Sequence, residues 1–372
     1  MRIKTTKDHL VEALQRVKGA TSIKMPILSH VLIEAKPEGA FVTATDTELV
    51  IRTQLKCTVE EPGSAAIPVD LLGIVKPLGG IELILKTDGA RAIVTCEASR
   101  RSIYVMPAED FPETSLKWWA TETEGISCDR GFSEAMHRVA YCVAGEGDPF
   151  SVPGVYLHGS DAGTNIVASD GHRLSRVVMP GVMGESWLLG DDGIVVPRRG
   201  VMQLMSLVNE AGKATLTRTK KALGVVTDLA ALEIRLLPQE FPDYSKIIPE
   251  DRPYHVDFDR QELLARLKGL LPVVKGSDKF RALKMSFQGD TCQLSTGGDD
   301  RAAVDEMVLA PSDGAQDGFH VALNIRYVMD AVASLTGDIV RMEWVDDLHG
   351  IIFCPVPGGV DRELHLIMPM VV

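Results

Sequence analysis

The sequence has no long apolar run, no closely spaced cysteine pair and too few basic residues to balance its acidic ones. No stretch of its 372 residues reaches the roughly 18 consecutive apolar residues that a membrane-spanning helix needs, and its start, MRIKTTKDHLVEAL, has no apolar signal-peptide core. Its 6 cysteines form no C-x-x-C pair, so we expect buried free thiols in a reducing compartment. These absences predict a soluble, cytoplasmic protein without a metal or other cofactor.

Acidic residues are in excess, because 39 Lys and Arg stand against 51 Asp and Glu, for a formal net charge of -12. Taken alone, this charge argues against nucleic acid as a partner, since phosphate binding needs Lys and Arg. Screening limits the reach of each charge to about 10 Å at ordinary ionic strength, however, so a local basic surface is compatible with an acidic exterior.

Helical patterns recur three times, with a period of roughly 125 residues. Apolar residues at i, i+3, i+4 and i+7 predict a first helix in KDHLVEALQRV, GFSEAMHRVAYCV and, less regularly, DRQELLARLKGLL. A second helix is predicted in PVDLLGIVKPL, PRRGVMQLMSLV and LNIRYVMDAVASL. Alternating strand-like segments lie between and after the helices, and an acidic turn recurs at Asp46, Asp170 and Asp299. The chain is therefore predicted to be α+β, with three copies in the order helix, hairpin, helix, strands.

Proline-containing segments mark the ends of the copies, as MPAEDFPE, LPQEFPDY and the terminal IMPM. We expect three domains, at residues 1-120, 121-250 and 251-372, each with an antiparallel sheet and two helices. Because open sheet edges tend to pair, the copies are expected to join edge to edge, and two chains to close into a ring with twofold symmetry.

The predicted helices carry basic residues, whereas acidic residues cluster elsewhere, as in TETEG, GGDDRAAVDE and WVDDL. The basic residues are Lys7, Arg16, Lys18, Lys76, Arg130, Arg138, Arg198, Arg199, Arg260, Arg266, Lys268 and Arg326. This distribution is compatible with helices that line a basic hole. It is also compatible with ordinary solvated helix surfaces, on which most Lys and Arg residues of helices lie.

Motifs spread over the whole chain resemble those of the bacterial DNA polymerase III beta subunits, the sliding clamps. In order, they are MPILSHVLIEA, TATDTEL, MPAEDFP, VASDGHRLSRVVMP, IVVPRRGVMQLM, EFPDYSKIIP, KFRAL, LNIRYVMDAV and IMPM. The resemblance implies three clamp-type domains per chain and a head-to-tail dimeric ring of six. Such a ring encircles double-stranded DNA without reading its sequence, tethers the replicative polymerase and has no active site of its own.

The resemblance also implies a pocket for short, partly hydrophobic peptides of the polymerase III alpha subunit, the clamp loader, other polymerases and repair proteins. The matching positions are Leu157, Ser169, Gly171, His172, Arg173, Leu174, Pro242, Lys246, Ile247, Leu366, Met368, Pro369 and Met370. Leu, Ile and Met would supply an adaptable groove, and His and Arg would fix polar groups of the peptide. Singly, each of Leu157, Leu174 and Leu366 could instead be a core residue.

For DNA contact, the resemblance points to Lys24, and the helix residues Lys76, Arg198 and Arg199 are further candidates. For the dimer interface, it points to Ile103 in domain 1 and to Val273 or Val274 in domain 3. The chain departs from the family in its Val371-Val372 ending and in AGEGDPFSVPGVYL, which lacks the Gln and Arg that often face DNA. A duplicate clamp for repair or antibiotic resistance would fit these departures.

The stretch VASDGHRLSR also allows an enzyme, a hydrolase in which His172 is a base oriented by Asp170. The sequence has no G-x-S-x-G nucleophile motif and no H-E-x-x-H metal pair, and Asp-Gly is a strong turn signal. We therefore favour one wall of a docking groove as the interpretation of Gly171–Leu174.

Overall fold

The computed structural model describes residues 1–114, 116, 125–145, 147, 151–181, 190, 192–274, 282–298, 301–309 and 317–370. Asp299, of the predicted third acidic turn, and the Val371-Val372 ending lie outside these residues. The chain divides into two compact units. The first comprises Met1–Ser133 and Arg199–Leu236, and the second comprises Glu134–Arg198 and Leu237–Val372. The domain boundaries at residues 120 and 250 stay predictions.

The six predicted helices are present, and a short seventh was not predicted. They are α1 (Lys7–Val17), α2 (Leu71–Val75), α3 (Arg130–Ala140), α4 (Arg198–Ala211), α5 (Arg260–Leu270), α6 (Ile325–Ser334) and α7 (Gly359–Arg362). Helix α7 interrupts a segment that we predicted as strand, because Pro357 and the two glycines after it do not extend a sheet ladder. None of the described helices is long and apolar enough to cross a membrane.

The first helix of each repeat begins at a side-chain cap. Thr6 accepts a hydrogen bond from the His9 amide at 3.2 Å, Asp129 from the Gly131 amide at 2.9 Å, and Asp259 from the Glu262 amide at 2.8 Å. The predicted apolar stripes are buried, including Leu10, Leu14, Phe132, Val139, Leu263 and Leu267. Burial of these stripes against the sheets drives the packing of the helices.

The strands follow the threefold pattern. They are β1 (Arg2–Thr6), β2 (His30–Lys36), β3 (Gly39–Thr45), β4 (Leu49–Leu55), β5 (Cys57–Glu61), β6 (Gly63–Pro68), β7 (Glu82–Asp88), β8 (Arg91–Cys96), β9 (Ser99–Tyr104), β10 (Ile126–Asp129), β11 (Gly154–Ser160), β12 (Gly163–Ser169), β13 (Arg173–Met179), β14 (Ile194–Pro197), β15 (Lys213–Arg218), β16 (Ala222–Val226), β17 (Ala230–Arg235), β18 (Tyr254–Asp259), β19 (Ala282–Gln288), β20 (Thr291–Gly298), β21 (Arg301–Val308), β22 (His320–Asn324), β23 (Ile339–Trp344), β24 (Ile351–Val356) and β25 (Glu363–Ile367).

Each repeat opens with a strand, β1, β10 or β18, that the predicted order did not include. These strands have only 5, 4 and 6 residues, and the first helix follows each one directly. A segment this short shows little of the alternation on which strand prediction depends.

Each unit contains two antiparallel sheets. The first unit has the strand orders β5-β1-β7-β8-β9 and β10-β15-β16-β17-β4-β3-β2-β6. The second has β14-β11-β12-β13-β25-β24-β23-β18 and β21-β20-β19-β22.

Both eight-stranded sheets join two successive repeats edge to edge, as the sequence predicted. Strand β17 pairs with β4 through Ala230–Ile234 and Leu49–Thr53. Strand β13 pairs with β25 through Arg173–Val177 and Glu363–Ile367. The second of these junctions places the DGHR turn and the C-terminal segment side by side.

Candidate functional site

The turn between β12 and β13 is organised by Asp170. Its Oδ1 accepts hydrogen bonds from the amides of His172 and Arg173, at 3.0 and 3.1 Å. Gly171 has a φ of 84°, and the Ser169 hydroxyl donates to the Arg173 carbonyl at 2.9 Å. Asp170 thus fixes the backbone that presents His172, as expected for an Asx turn.

The same turn occurs in the first repeat, between β3 and β4. Asp46 Oδ1 accepts from the amides of Glu48 and Leu49, at 2.9 and 2.7 Å, and Thr47 has a φ of 80°. In both turns the second carboxylate oxygen pairs with an arginine, Arg199 for Asp46 and Arg173 for Asp170. The recurrence indicates a structural role for the two aspartates.

Arg173 connects the turn to Tyr141, the residue after α3, and to Asp330 on α6. Its guanidinium donates to Asp170 Oδ2 at 2.9 Å, to Asp330 Oδ2 at 2.7 Å and to the Tyr141 carbonyl at 3.0 Å. It also lies over the rings of Tyr141 and Tyr327, at 4.9 and 4.1 Å. Burial lowers its pKa, but the hydrogen bonds to the two carboxylates outweigh that effect and raise it. With its side chain 11% exposed, Arg173 braces the site from within.

The C-terminal segment lies directly beside this turn. The Met368 amide donates to the His172 carbonyl at 3.0 Å, and the Met370 amide donates to the Ala322 carbonyl at 2.8 Å. His172 is exposed, and Met368 is 39% exposed. Pro369 and Met370 are half-buried. The exposed side chains of His172, just before β13, and Met368, just after β25, therefore lie at the paired ends of these two strands.

The three predicted pocket leucines are core residues in this structure. Leu157 is 0% exposed, and Leu174 and Leu366 are each 1% exposed. Leu174 and Leu366 belong to one apolar group, which we call the pocket cluster: Val167, Leu174, Ile352, Cys354, Val360, Leu364 and Leu366. The sequence left open that each of these leucines is a core residue, and the structure agrees with that alternative.

Aromatic rings cover the pocket cluster, and we call them the aromatic cover: Tyr156, His158, Phe241 and Tyr244. Tyr156, Phe241 and Tyr244 pack on the cluster. The Tyr156 and Phe241 rings stack with centroids 5.0 Å apart, and Tyr156 stacks on His158 at 4.8 Å. His158 Nε2 lies 2.7 Å from the Tyr244 hydroxyl. Sequence reasoning missed these four residues, although FPDYSKII and VYLHG lie in segments that it had singled out.

The remaining predicted pocket residues flank the cover. Pro242, Lys246 and Ile247 are exposed, and Ile247 leaves 48% of its surface open. Lys246 pairs with Asp243 at 3.0 Å, on the solvent side. The geometry therefore places an exposed apolar and basic rim around a closed apolar centre.

The four candidate DNA contacts differ in their exposure and in the partners that their side chains already have. Lys24 and Lys76 are exposed, and Lys24 sits between exposed Ile23 and Met25. Arg198 is exposed and reaches the Val143 carbonyl at 3.4 Å. Arg199 pairs with Asp46 and also donates to two backbone carbonyls of the Gly19–Thr21 turn. Its charge is therefore already compensated within the first unit.

Several of the basic helix residues have acidic partners in the described residues. Arg16 pairs with Glu210, Arg138 with Glu363 at 3.2 Å, and Arg266 with Glu262 at 3.0 Å. These pairs make the basic helix surface smaller than the sequence alone suggested.

The candidate interface residues lie near open strand edges or at a helix end. Ile103 is on β9, which ends its sheet, and Val273 and Val274 follow α5. Val274 packs partly on the apolar core of the second unit. Tyr104 beside Ile103 is 67% exposed.

The arrangement gives the hydrolase hypothesis no support. Asp170 directs its oxygens to two amides and to Arg173, so it does not orient the imidazole of His172. A Ser175–His365–Glu363 chain exists, with contacts of 2.8 and 3.2 Å, but all three residues are buried beyond the reach of a substrate. Within the described ranges, no three His, Cys, Asp or Glu side chains converge as a metal site would require.

Repeats that share antiparallel sheets, with paired helices in each, are the architecture of the DNA clamps. Solved structures agree with that class over the whole chain. The DNA polymerase III beta subunit of Caulobacter crescentus superposes with a TM-score of 0.88 at 23% identity, and that of Bartonella birtlesii, solved bound to griselimycin, with 0.88 at 22%. Each comparison covers 100% of both chains.

Sequence comparison identifies the family. Models of the N-terminal and C-terminal domains of the DNA polymerase III beta subunit match residues 1–115 and 245–370. The beta sliding clamp of Caulobacter vibrioides is 25% identical over 383 residues, which cover 100% of both chains. The chain belongs to the family of DNA polymerase III beta subunits, the beta sliding clamps.

Proposed function

We propose that this chain is a replicative sliding clamp, a binding protein whose homodimer encircles double-stranded DNA in the bacterial cytoplasm and tethers the replicative polymerase. A closed ring cannot leave the duplex sideways, so weak contacts to phosphate are enough and movement along the duplex stays free. Membership of the beta sliding clamp family supports this function.

The proposal is carried by two strands, β9 and β21, that end their sheets where the threefold pattern predicts a further junction. Strand β4 of the first repeat pairs with β17 of the second, and β13 of the second pairs with β25 of the third. The equivalent strands that remain are β21 of the third repeat and β9 of the first, and each ends its sheet. Pairing β21 of one copy with β9 of another would repeat the same junction and close a six-domain ring from two chains.

The side chains of these two edges complement each other. Strand β9 carries exposed Arg100 and Arg101, and β21 carries half-buried Asp305 and exposed Glu306. Exposed apolar residues accompany the charges on both strands, with Val304 59% exposed on β21. Open, partly apolar edges are a liability in a monomer, and pairing removes it. We place Ile103 at this seam, with Val273 and Val274 as its candidate neighbours.

For DNA, the proposal relies on Lys24 and Lys76, which are exposed, with Arg198 as a third contact. Arg199 is assigned instead to bracing the first unit through Asp46. Such contacts attract phosphate independently of sequence.

For partners, the proposal places peptides of the polymerase III alpha subunit, the clamp loader, other polymerases and repair proteins on the rim around the pocket cluster. His172, Met368 and Ile247 offer a polar group and two apolar groups at this surface. Griselimycin on the Bartonella birtlesii relative shows that a protein of this fold binds a ligand.

The decisive experiment tests topology. The clamp is loaded on nicked circular DNA by its loader and ATP, and the circle is then cut. A ring stays with the circle and slides off the linear product. Equal retention on circular and linear DNA would refute the encircling mechanism.

A further inference from the structure

The apolar centre of the docking site is shut. Leu174 and Leu366 are each 1% exposed, and Phe241 and Tyr244 pack on the cluster that contains them. At this exposure, neither leucine is open to a partner side chain in this structure. The segment that bears the rings is otherwise exposed, from Pro242 and Asp243 to Ser245, Lys246 and Ile247.

A side-chain hydrogen bond between His158 and Tyr244 connects this segment to β11. His158 Nδ1 lies 3.0 Å from the Gly159 carbonyl, which can only accept, so Nδ1 carries the proton and Nε2 presents its lone pair. The Tyr244 hydroxyl, 2.7 Å away, donates to Nε2. Burial lowers the pKa of His158 and raises the pKa of Tyr244, so both groups keep the protonation states that the bond needs near neutral pH.

Ring stacking completes the attachment. Phe241 lies almost parallel to Tyr156, with an angle of 6° between the planes, and Tyr244 meets Phe241 edge to face at 6.5 Å. These contacts are favourable but have no directional lock comparable to a hydrogen bond. The directional part of the attachment is therefore the His158–Tyr244 bond, together with the contact of the Tyr244 hydroxyl with Arg176.

We propose that the aromatic cover is a latch on the partner site, which the His158–Tyr244 hydrogen bond holds closed and which a partner peptide displaces to reach Leu174 and Leu366. This inference rests on the proposed docking function. The fitting occupant is a short extended peptide with a bulky apolar side chain, because only an apolar group restores the burial that the displaced rings give up.

A latch has a signature that an ordinary contact lacks. When a site must open before it binds, the apparent affinity is the intrinsic affinity reduced by the open fraction. Weakening the latch raises that fraction and tightens binding, whereas weakening a direct contact loosens binding. The sign of the change therefore separates the two roles.

The test uses the full-length protein and Tyr244→Phe, which removes the hydroxyl and keeps the ring. Fluorescein-labelled peptides tiled along the cognate polymerase III alpha subunit are screened by anisotropy, and the tightest binder is the probe. Tyr244→Phe is expected to tighten its binding about three- to tenfold, with faster association. His158→Phe, which keeps a stacking ring, is expected to give a gain in the same direction, and the double variant no further gain over Tyr244→Phe, since that change already removes the shared bond.

Tyr104→Phe on β9 is the matched control, because it removes an exposed hydroxyl that contacts Arg91 and no part of the cover. It is expected to leave the affinity unchanged. Amide hydrogen exchange at Ile248, which donates to the Ser245 carbonyl, is expected to speed up in Tyr244→Phe. Looser or unchanged peptide binding in both latch variants would overturn the latch while leaving docking intact. Failure of the wild-type protein to bind any peptide or the intact alpha subunit would overturn docking itself, and the latch with it.

Discussion

Arg173 donates hydrogen bonds to three acceptors, which are the carboxylates of Asp170 and Asp330 and the carbonyl of Tyr141. Replacing it with Ala leaves the carboxylates of Asp170 and Asp330 without their cation and the Tyr141 carbonyl without its donor. We expect Arg173→Ala to lower the free energy of unfolding by about 2 kcal/mol, and Arg173→Lys to recover part of that loss. Urea unfolding followed by tryptophan fluorescence measures both changes. A loss below about 0.5 kcal/mol would mean that the contacts are not stabilising.

The bracing role of Arg173 makes His172 the better residue for probing the docking site. A loss of peptide binding in Arg173→Ala would mix damage to the turn with damage to the site. His172 is exposed, and it contributes its backbone amide and carbonyl to the local hydrogen bonds. His172→Ala therefore tests the surface without removing a brace.

Buried thiols give a second prediction at this scale. Burial raises the pKa of Cys128, Cys142, Cys292 and Cys354 to about 12. Because the thiolate is the nucleophile, we expect iodoacetamide at pH 8 to leave these four unmodified in the native protein and to reach half-buried Cys57 first. Peptide mass spectrometry after native and denatured labelling reads this out. Rapid native labelling of the four would contradict their burial.

The raised pKa of the buried thiols also determines how stability changes at alkaline pH. The folded pKa lies above the ordinary value of 9.0, so the folded state keeps protons that the unfolded state releases between about pH 9 and 12. The free energy of unfolding contributed by these thiols is present below pH 9 and is lost as the pH rises through that window.

Residue types predicted the turn at Asp170 but not the partners of Arg173. Asp-Gly is a local signal, and the turn it forms uses only neighbouring amides. Asp330 and Tyr327 lie far from Arg173 in the sequence. They reach it because β13 pairs with β25, and because α6 packs in the same apolar core as Ile367 of β25. The pocket leucines were ambiguous for the same reason, since nothing local reveals that all three are buried.

At the scale of elements, two glycines in the β11–β12–β13 hairpins should respond very differently to the same change. Gly171 has a φ of 84°, and a Cβ added there would meet only Ser151 Oγ, at 3.7 Å. Gly163 has a φ of 127°, and its Cβ would lie 2.1 Å from the Met179 carbonyl oxygen. We expect Gly171→Ala to cost about 1 kcal/mol of backbone strain and Gly163→Ala about 3 kcal/mol or more.

Thr47 is the natural comparison, because it holds a φ of 80° in the equivalent turn of the first repeat. A residue with a Cβ is thus tolerated in that turn, at a position where glycine would relieve strain. Thermal and urea unfolding of the two glycine variants, side by side, supply the measurement. Equal losses would show that clash with the neighbouring backbone is not what distinguishes the two sites.

Periodicity predicted the helices well and the short strands poorly. Helices α1, α3, α4, α5 and α6 bury the stripes that the sequence displays, because a stripe repeated over 10 or more residues is hard to mistake. Helix α2 is only 5 residues long, shorter than its apolar pattern suggested. Strands β1, β10 and β18 have too few residues to alternate visibly.

At the scale of the whole molecule, the repeat determines which strands meet. The sequence predicted that copies join by their edges, and the two eight-stranded sheets show how. It could not say which strands form the junctions, since the alternation that predicts a strand does not show which neighbour that strand pairs with. Only the registers of β17 with β4 and of β13 with β25 reveal that β9 and β21 are the unused counterparts.

Charge exchange across those edges tests the proposed dimer as a whole. Reversing Arg100 and Arg101 to Glu in one variant, or Asp305 and Glu306 to Lys in another, should set like charges against each other at both seams and weaken each homodimer at least tenfold.

Mixing the two variants gives the sharper outcome. In a head-to-tail pair, the altered β9 of one chain meets the altered β21 of the other, and the second seam keeps its natural charges. We therefore expect an equimolar mixture to recover a dimer that neither variant forms well alone, as measured by analytical ultracentrifugation at low and high salt. Dimerisation through two copies of β9 would behave otherwise, because the β21 variant would then dimerise like the wild type. Normal dimerisation of that variant would exclude the β9–β21 seam, and with it the closure of two chains into a ring through these edges.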